Sequence, residues 1–363
     1  MGKARQKYFY AVMVAIPLLF FLAALIAYST LDVLKYKKKI DLRIEGDWPL
    51  AGDRKIGFTA TKNSSTFRRH VHSSLSYHLF VDHRGARVNT SGQQTPTRIG
   101  LMTVGGSFSW GHGMENEQTF TEILRRKLGV PVANFAYGSY GTVQALQLLE
   151  RNADLQPKVI VYGFITAHLK RNLFPCAPSY APFCLSVAYM DFDESSNPYI
   201  HAPLDEYNPE FGQKFFEQVI YDSFGVEDVI WGLRVWLAKL EKRYLRFKYK
   251  HVLKQLGDKA SHSKSMRSLT SQMKQAAQRI GATLIVVHIP YLDRGNTNVP
   301  PSELTDALNP DIMFIDMAPV VTQYYEIPAN PLLRFERDGH PNALAHVLIA
   351  DVIHKAIKER GIL

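Results

Sequence analysis

From Arg98 onward, short apolar runs alternate with stretches in which apolar residues recur every three or four positions. The runs RIGLMTV, PVANFAY, PKVIVYGF, TLIVVHIP and DIMFIDM read as buried strands. Between them, EQTFTEILRRKLG (stopping at Gly129), GTVQALQLLERN and SMRSLTSQMKQAAQRIG read as helices, and a last helix starts at Pro341. Uniformly apolar strands separated by amphipathic helices imply a parallel sheet covered on both faces. The expectation is an α/β domain over residues 98–363, with an insertion at 173–264 where the alternation lapses. Residues 40–97 read as a linker and a small β-rich section, with a hairpin in SYHLFVDHRGARVN turning at Gly85.

Five strands suggest a three-layer α/β/α, flavodoxin-like arrangement. Ligands of such sheets bind beyond the carboxyl ends of the strands. GGS after the first strand, GSYG after the second and GFITAH after the third all fall at those ends.

The N-terminus follows another rule. Tyr8 to Tyr28 carries no charge over twenty-one residues, matching the roughly 20 needed to cross a bilayer. Lys35, Tyr36 and Lys37 follow in place of a small-residue cleavage site, so residues 1–39 read as an uncleaved single-pass anchor. Lys3, Arg5 and Lys7 before it nearly balance Lys35, Lys37, Lys38 and Lys39 after it, so charge alone does not orient it. The insertion adds a basic amphipathic helix over 228–250, with Val229, Leu233, Trp236, Leu237, Leu240 and Tyr244 on its apolar side. Its basic half is Lys239, Lys242, Arg243, Arg246, Lys248 and Lys250. It reads as a helix packed on the core, with a place against the membrane or over the site as alternatives.

Charge then changes one conclusion. The chain has a net charge of +10. Residues 1–39 supply +6 of it, leaving +4 for the remainder. The excess suits lipid head groups, and nucleic acid is not an expected partner. The two cysteines, Cys176 and Cys184, lie with seven residues between them in a Pro-rich loop and suit a disulfide in an oxidising compartment. No metal site is expected, since further ligands at usable spacing are missing.

Chemistry concentrates in LMTVGGSFSWGHG, residues 101–113. A Walker loop needs a terminal Lys-Ser/Thr and a dinucleotide fingerprint needs glycine where Phe108 stands, so neither phosphate motif fits. Ser107 at a strand-to-helix corner would instead face the crevice, with free N–H groups behind it. A serine nucleophile needs a base. His340 in ERDGHPN, held before Pro341, is the candidate, and Asp338 could orient it, with Glu336 as runner-up.

In this order VGGSFSWG, NFAYGSYGTVQ, YGFITAHLKRN and DGHPNALAH resemble the SGNH (GDSL-type) hydrolases, and more closely the membrane-anchored bacterial type linked to cell-surface polysaccharide. The resemblance covers residues 77–172 and 265–358. It implies Ser107 as nucleophile, His340 as general base, Asp338 as its partner, and ester chemistry without a separate cofactor. It also implies oxyanion donors at Ser107 and at Ser139 beside Gly138. The family's oxyanion Asn falls on Ala167, leaving His168 as the substitute donor, and its acid position three before the histidine falls on Arg337.

Around these, His112 and Trp110 are candidates for substrate contact, with a solvated loop and core packing as their plainer roles. Arg171 is a candidate for an anionic substrate, with loop anchoring favoured. The expected protein is a membrane-tethered serine esterase or acyltransferase with an extracytoplasmic globule. It would act on acyl esters, commonly O-acetyl, and its partners would be the bilayer, an acylated carbohydrate and polysaccharide-synthesis machinery. The alternative is a non-catalytic polysaccharide-binding protein of the same shape.

Overall fold

The structure is a computed structural model describing residues 3–39, 42–70, 75–178, 183–217, 226–248, 258–295 and 299–363. It divides into two compact units. The larger is built on nine strands: β1 (Leu42–Gly46), β2 (Ser64–His70), β3 (Leu75–Val81), β4 (Arg87–Val88), β5 (Leu101–Gly105), β6 (Val132–Asn134), β7 (Val159–Phe164), β8 (Thr283–His288) and β9 (Met313–Asp316). Their order is β1-β2-β3-β4-β6-β5-β7-β8-β9.

Two halves meet in this sheet. β6-β5-β7-β8-β9 run parallel, with Leu101 level with Val132 on one side and Val159 on the other. They are the five strands read from the sequence. By position in the chain their order is 2-1-3-4-5, which places the topological switch between the first and third strands. The larger sheet arises because β1 to β4 continue it in antiparallel fashion, joined through Arg87 opposite Asn134. The section read as separate from the α/β domain is therefore part of its sheet. The expected hairpin is there, β3 to β4, turning at Gly85.

Helices α2 (Ser107–Trp110), α3 (Phe120–Leu128), α4 (Thr142–Arg151), α5 (His168–Arg171), α7 (Lys259–Arg279), α8 (Ala318–Tyr325) and α9 (Ala343–Glu359) belong to this unit. α3 and α9 pack together over one face of the sheet. There Leu101, Val159, Val161, Ile285 and Val287 meet Phe120, Leu124, Ile349 and Ile353. α4 pairs with α7 as the other layer. Boundaries follow local chemistry: Gly129 closes α3 in the left-handed conformation, and the side chain of Asn342 accepts from the Ala345 N–H to cap α9. Pro341 does not open α9 as expected. It ends β11 (Asp338–Pro341), which hairpins with β10 (Arg334–Phe335).

The smaller unit joins α1 (Lys3–Lys39) to the insertion helix α6 (Val226–Lys248), which pack on each other. The expected helix is present, but a different side of it is buried. Trp231 and Val235 are covered, with Trp231 against Phe211 and Phe215, while Leu237, Leu240 and Tyr244 are exposed. Lys250 and residues 179–182 of the cysteine loop lie outside the described residues. α1 has a window of hydropathy 2.6 with none of it buried, long and apolar enough to cross a membrane.

Candidate active site

Gly105 ends β5 and Ser107 begins α2, so the serine stands at the carboxyl edge of the sheet beside the switch point. Gly106 is required by close approach. A Cβ there would lie 2.8 Å from Nε2 of His168, 3.3 Å from the Arg171 guanidinium and 3.4 Å from the Tyr140 carbonyl. The second loop is drawn to the same place, because the Tyr137 N–H donates to the Gly105 carbonyl at 3.1 Å.

The β10–β11 hairpin brings the base across 233 positions of sequence. Nε2 of His340 is 2.8 Å from Oγ of Ser107. Its Nδ1 bonds Oδ1 of Asp338, which also accepts from the His340 backbone N–H at 2.9 Å. These are the contacts of a Ser-His-Asp relay. Asp338, two residues before the histidine, takes the position left open between it and Glu336. Ser107 is 6% exposed, so its hydroxyl is shielded yet reachable. Burial works to raise the Asp338 carboxyl, but the neighbouring His112 and His340 imidazoles outweigh it and hold the group well below the usual carboxylate range.

His112 is not a solvated loop residue. Its ring lies 4.4 Å from that of His340 and its Nε2 faces Oδ2 of Asp338 at 3.6 Å. It is thus gathered into the same cluster, the only one among the described residues that could ligate a metal. Burial pushes its imidazole down to about 4, against the pull of Asp338, so it is neutral at physiological pH.

On the oxyanion side, Ser139 adopts a φ of 67°, the left-handed conformation that glycine takes without strain. Its hydroxyl donates to the Pro178 carbonyl. Its backbone N–H has no hydrogen bond among the described residues. Gly138 beside it faces open space. His168 departs from its expected role as donor. It is fully buried, its Nδ1 is 2.8 Å from the Tyr162 hydroxyl, and its Nε2 abuts Gly106 without a partner. Burial holds it well below the ordinary imidazole range, so it supports the Gly106–Ser107 backbone as a neutral ring.

Trp110 is corrected as a substrate contact, while Arg171 takes the loop-anchoring role favoured for it. Trp110 is 2% exposed, packed 4.9 Å from the Tyr137 ring and under the Arg87 guanidinium, so it offers no face to a sugar. Arg171 donates to the Tyr140 carbonyl at 3.0 Å and ties the second loop to the third. Burial lowers its guanidinium to about 10, where it stays charged at neutral pH. Both cysteines are disulfide-bonded.

Arg87 was not singled out from the sequence. From β4 its buried guanidinium donates to the carbonyls of Trp110 and Gly111, both at 2.7 Å, and of Met114. It clamps the turn that carries His112. Only the turn itself, with glycine on both sides of a histidine, hints at such a clamp.

No family model matches the chain, and no curated protein does. Solved structures with some likeness include TesA, at 11% identity and a TM-score of 0.35, covering 72% of this chain and 99% of that one. A GDSL-like lipase from Bacteroides thetaiotaomicron shares 11% identity at a TM-score of 0.34, covering 74% and 93%. The acetyl xylan esterase Est2A from the rumen bacterium Butyrivibrio proteoclasticus shares 10% at 0.38, covering 84% and 73%. Likeness at this TM-score leaves the chemistry of the site to be read from its own atoms.

Proposed function

We propose that this chain is a membrane-tethered serine esterase or acyltransferase of the SGNH type, acting on O-acyl esters of cell-surface carbohydrate. The observation that carries the proposal is the continuous contact from Oγ of Ser107 through His340 to Asp338. Oγ of Ser107 attacks the ester carbonyl carbon while its proton passes to Nε2 of His340. The negative charge grows on the carbonyl oxygen, to be held by the N–H groups of Ser107 and Ser139. Collapse expels the alcohol, which takes the proton from His340. Water, or a sugar hydroxyl in a transferase, then attacks the acyl-serine with His340 again as base. Collapse breaks the acyl–Oγ bond, returns the proton from His340 to Ser107 and releases the acid or the new ester. α1 would hold the domain at the membrane, on its outer side.

One observation favours the second reading, a non-catalytic polysaccharide-binding protein. His168 is fully buried and offers no third donor. Loss of one such donor elsewhere costs about 3 kcal/mol of transition-state stabilisation. Labelling of the full chain in detergent with a fluorophosphonate separates the two. We expect labelling that vanishes in Ser107→Ala and falls strongly in His340→Ala. A folded wild-type protein that stays unlabelled would turn the assignment to the binding protein.

A further inference from the structure

His112 stands in no step of the reaction proposed above, yet its surroundings aim it at the relay. Gly111 and Gly113 flank it with φ of 83° and 85°, in the left-handed region. A Cβ on Gly111 would strike Thr119, and one on Gly113 would come 2.7 Å from the Phe335 ring. The backbone therefore bends twice around one residue, and Arg87 locks the bend by gripping carbonyls on both sides of it. The His112 ring is edged by His70 and Tyr77, from β2 and β3, at 5.4 and 6.0 Å. Its Nε2 is buried and forms no hydrogen bond of normal length among the described residues. The acceptor it faces is Oδ2 of Asp338.

We propose that His112 is a positioning residue for the relay, a neutral N–H donor that steadies the second oxygen of Asp338 while the first holds His340. The inference rests on the serine-esterase reading and deepens it. Asp338 already takes two donors from His340 on Oδ1. Without a partner on Oδ2 the carboxylate is free to rotate out of the imidazole plane. The 3.6 Å separation is slightly longer than a formed hydrogen bond, so a small approach of the imidazole to the carboxylate completes it.

Neutrality is essential to this role. A protonated ring 4.4 Å from His340 would repel the imidazolium that forms as Ser107 loses its proton. Of the groups facing His112, Asp338 favours its protonation and His340 and Arg68 oppose it, and the titratable rings of His70 and Tyr77 also edge it. Burial sides with His340 and Arg68, leaving His112 able to donate a hydrogen bond without cancelling the charge of Asp338.

The test compares His112→Phe with His112→Gln in the full chain, using hydrolysis of p-nitrophenyl acetate and a thermal melt of each variant. Phe keeps a ring against His340, His70 and Tyr77 but has no N–H. Gln restores an N–H at the same distance from the backbone. We expect His112→Phe to lose about tenfold in kcat at unchanged KM, and His112→Gln to recover most of it. Equal losses in both variants would mean that the N–H is not what His112 supplies, a loss in His112→Gln alone would mean ring packing, and a change confined to KM would mean substrate contact. Any of these overturns the proposal, as does a fully active His112→Phe. Proton NMR of histidine-labelled protein reads the same pair without turnover. The His340 Nδ1 proton should shift in His112→Phe and return in His112→Gln, and an unmoved resonance counts against the proposal. If the wild type matches Ser107→Ala in hydrolysis, the esterase reading itself has failed, and the NMR comparison still decides the role of His112.

Discussion

Asp338 has most of its work set by neighbours it meets only in the folded chain. Its charge balances the imidazolium of His340, and its Oδ1 selects the tautomer in which Nε2 is free to accept from Ser107. Asn at 338 would keep the size of the side chain but lose the charge and favour the wrong tautomer. Asp338→Asn is therefore expected to lower kcat for p-nitrophenyl acetate by about 10³–10⁴-fold with the fold retained, as judged by circular dichroism. A loss below about tenfold would remove Asp338 from the relay. At this scale the sequence was informative where a residue type is chemically rare in its setting. Gly-Gly-Ser at a strand end and Asp-Gly-His-Pro before a helix both marked residues that the fold brings into hydrogen-bonding contact. Trp110 was left open between two roles because an aromatic beside such a serine looks the same whether it faces a sugar or the core. Its burial against Tyr137 and Arg87 depends on β4, which lies far away in sequence.

Elements set the loops that carry these residues. Arg87 on β4 joins the antiparallel half of the sheet to the turn 110–114, and its three carbonyl partners are buried with it. Arg87→Met fills similar space and leaves those acceptors unpaired. It should lower unfolding free energy by about 3 kcal/mol in urea titration. It should also reduce fluorophosphonate labelling, because the turn is no longer held. An unchanged urea midpoint would show that the clamp contributes nothing. α1 belongs to the same scale. The full chain is expected to stay with membranes through a carbonate wash, and a reporter fused after Leu363 should be active only outside the cytoplasm. Release by carbonate would argue against a spanning helix. The amphipathic pattern of α6 was legible as a helix, yet its buried side was not. Apolar residues occur around much of its circumference, and only Phe211 and Phe215 decide that Trp231 turns inward.

Across the described residues, two of the fully buried histidines, His168 and His346, couple stability to pH. His168 lies under the nucleophile, and His346 on α9 accepts the Phe120 N–H at 2.9 Å through Nδ1. Burial depresses both, His346 to about 3 and His168 well below its ordinary value. Each stays neutral in the fold while the unfolded chain takes up a proton below about pH 6.5. Their stability contribution is thus complete above that pH and is lost as the pH falls, at about 1.4 kcal/mol per unit for each group. The urea midpoint should drop steeply between pH 6.5 and 5, and a flat midpoint over that range would contradict the buried neutral state. The alternation of apolar strands with amphipathic helices pointed to the parallel α/β class and the strand ends that bear the site. An uncharged apolar run pointed to α1, and the GGS and DGHPN motifs singled out Ser107 and His340. Those features are local, written in periodicity and in residue types with few other uses. Strand order, the antiparallel extension, the burial of His168 and the approach of His112 to Asp338 were decided by tertiary structure alone. Each depends on groups tens to hundreds of positions apart, and a side chain's partner and charge state exist only once the water around it has been replaced by those groups.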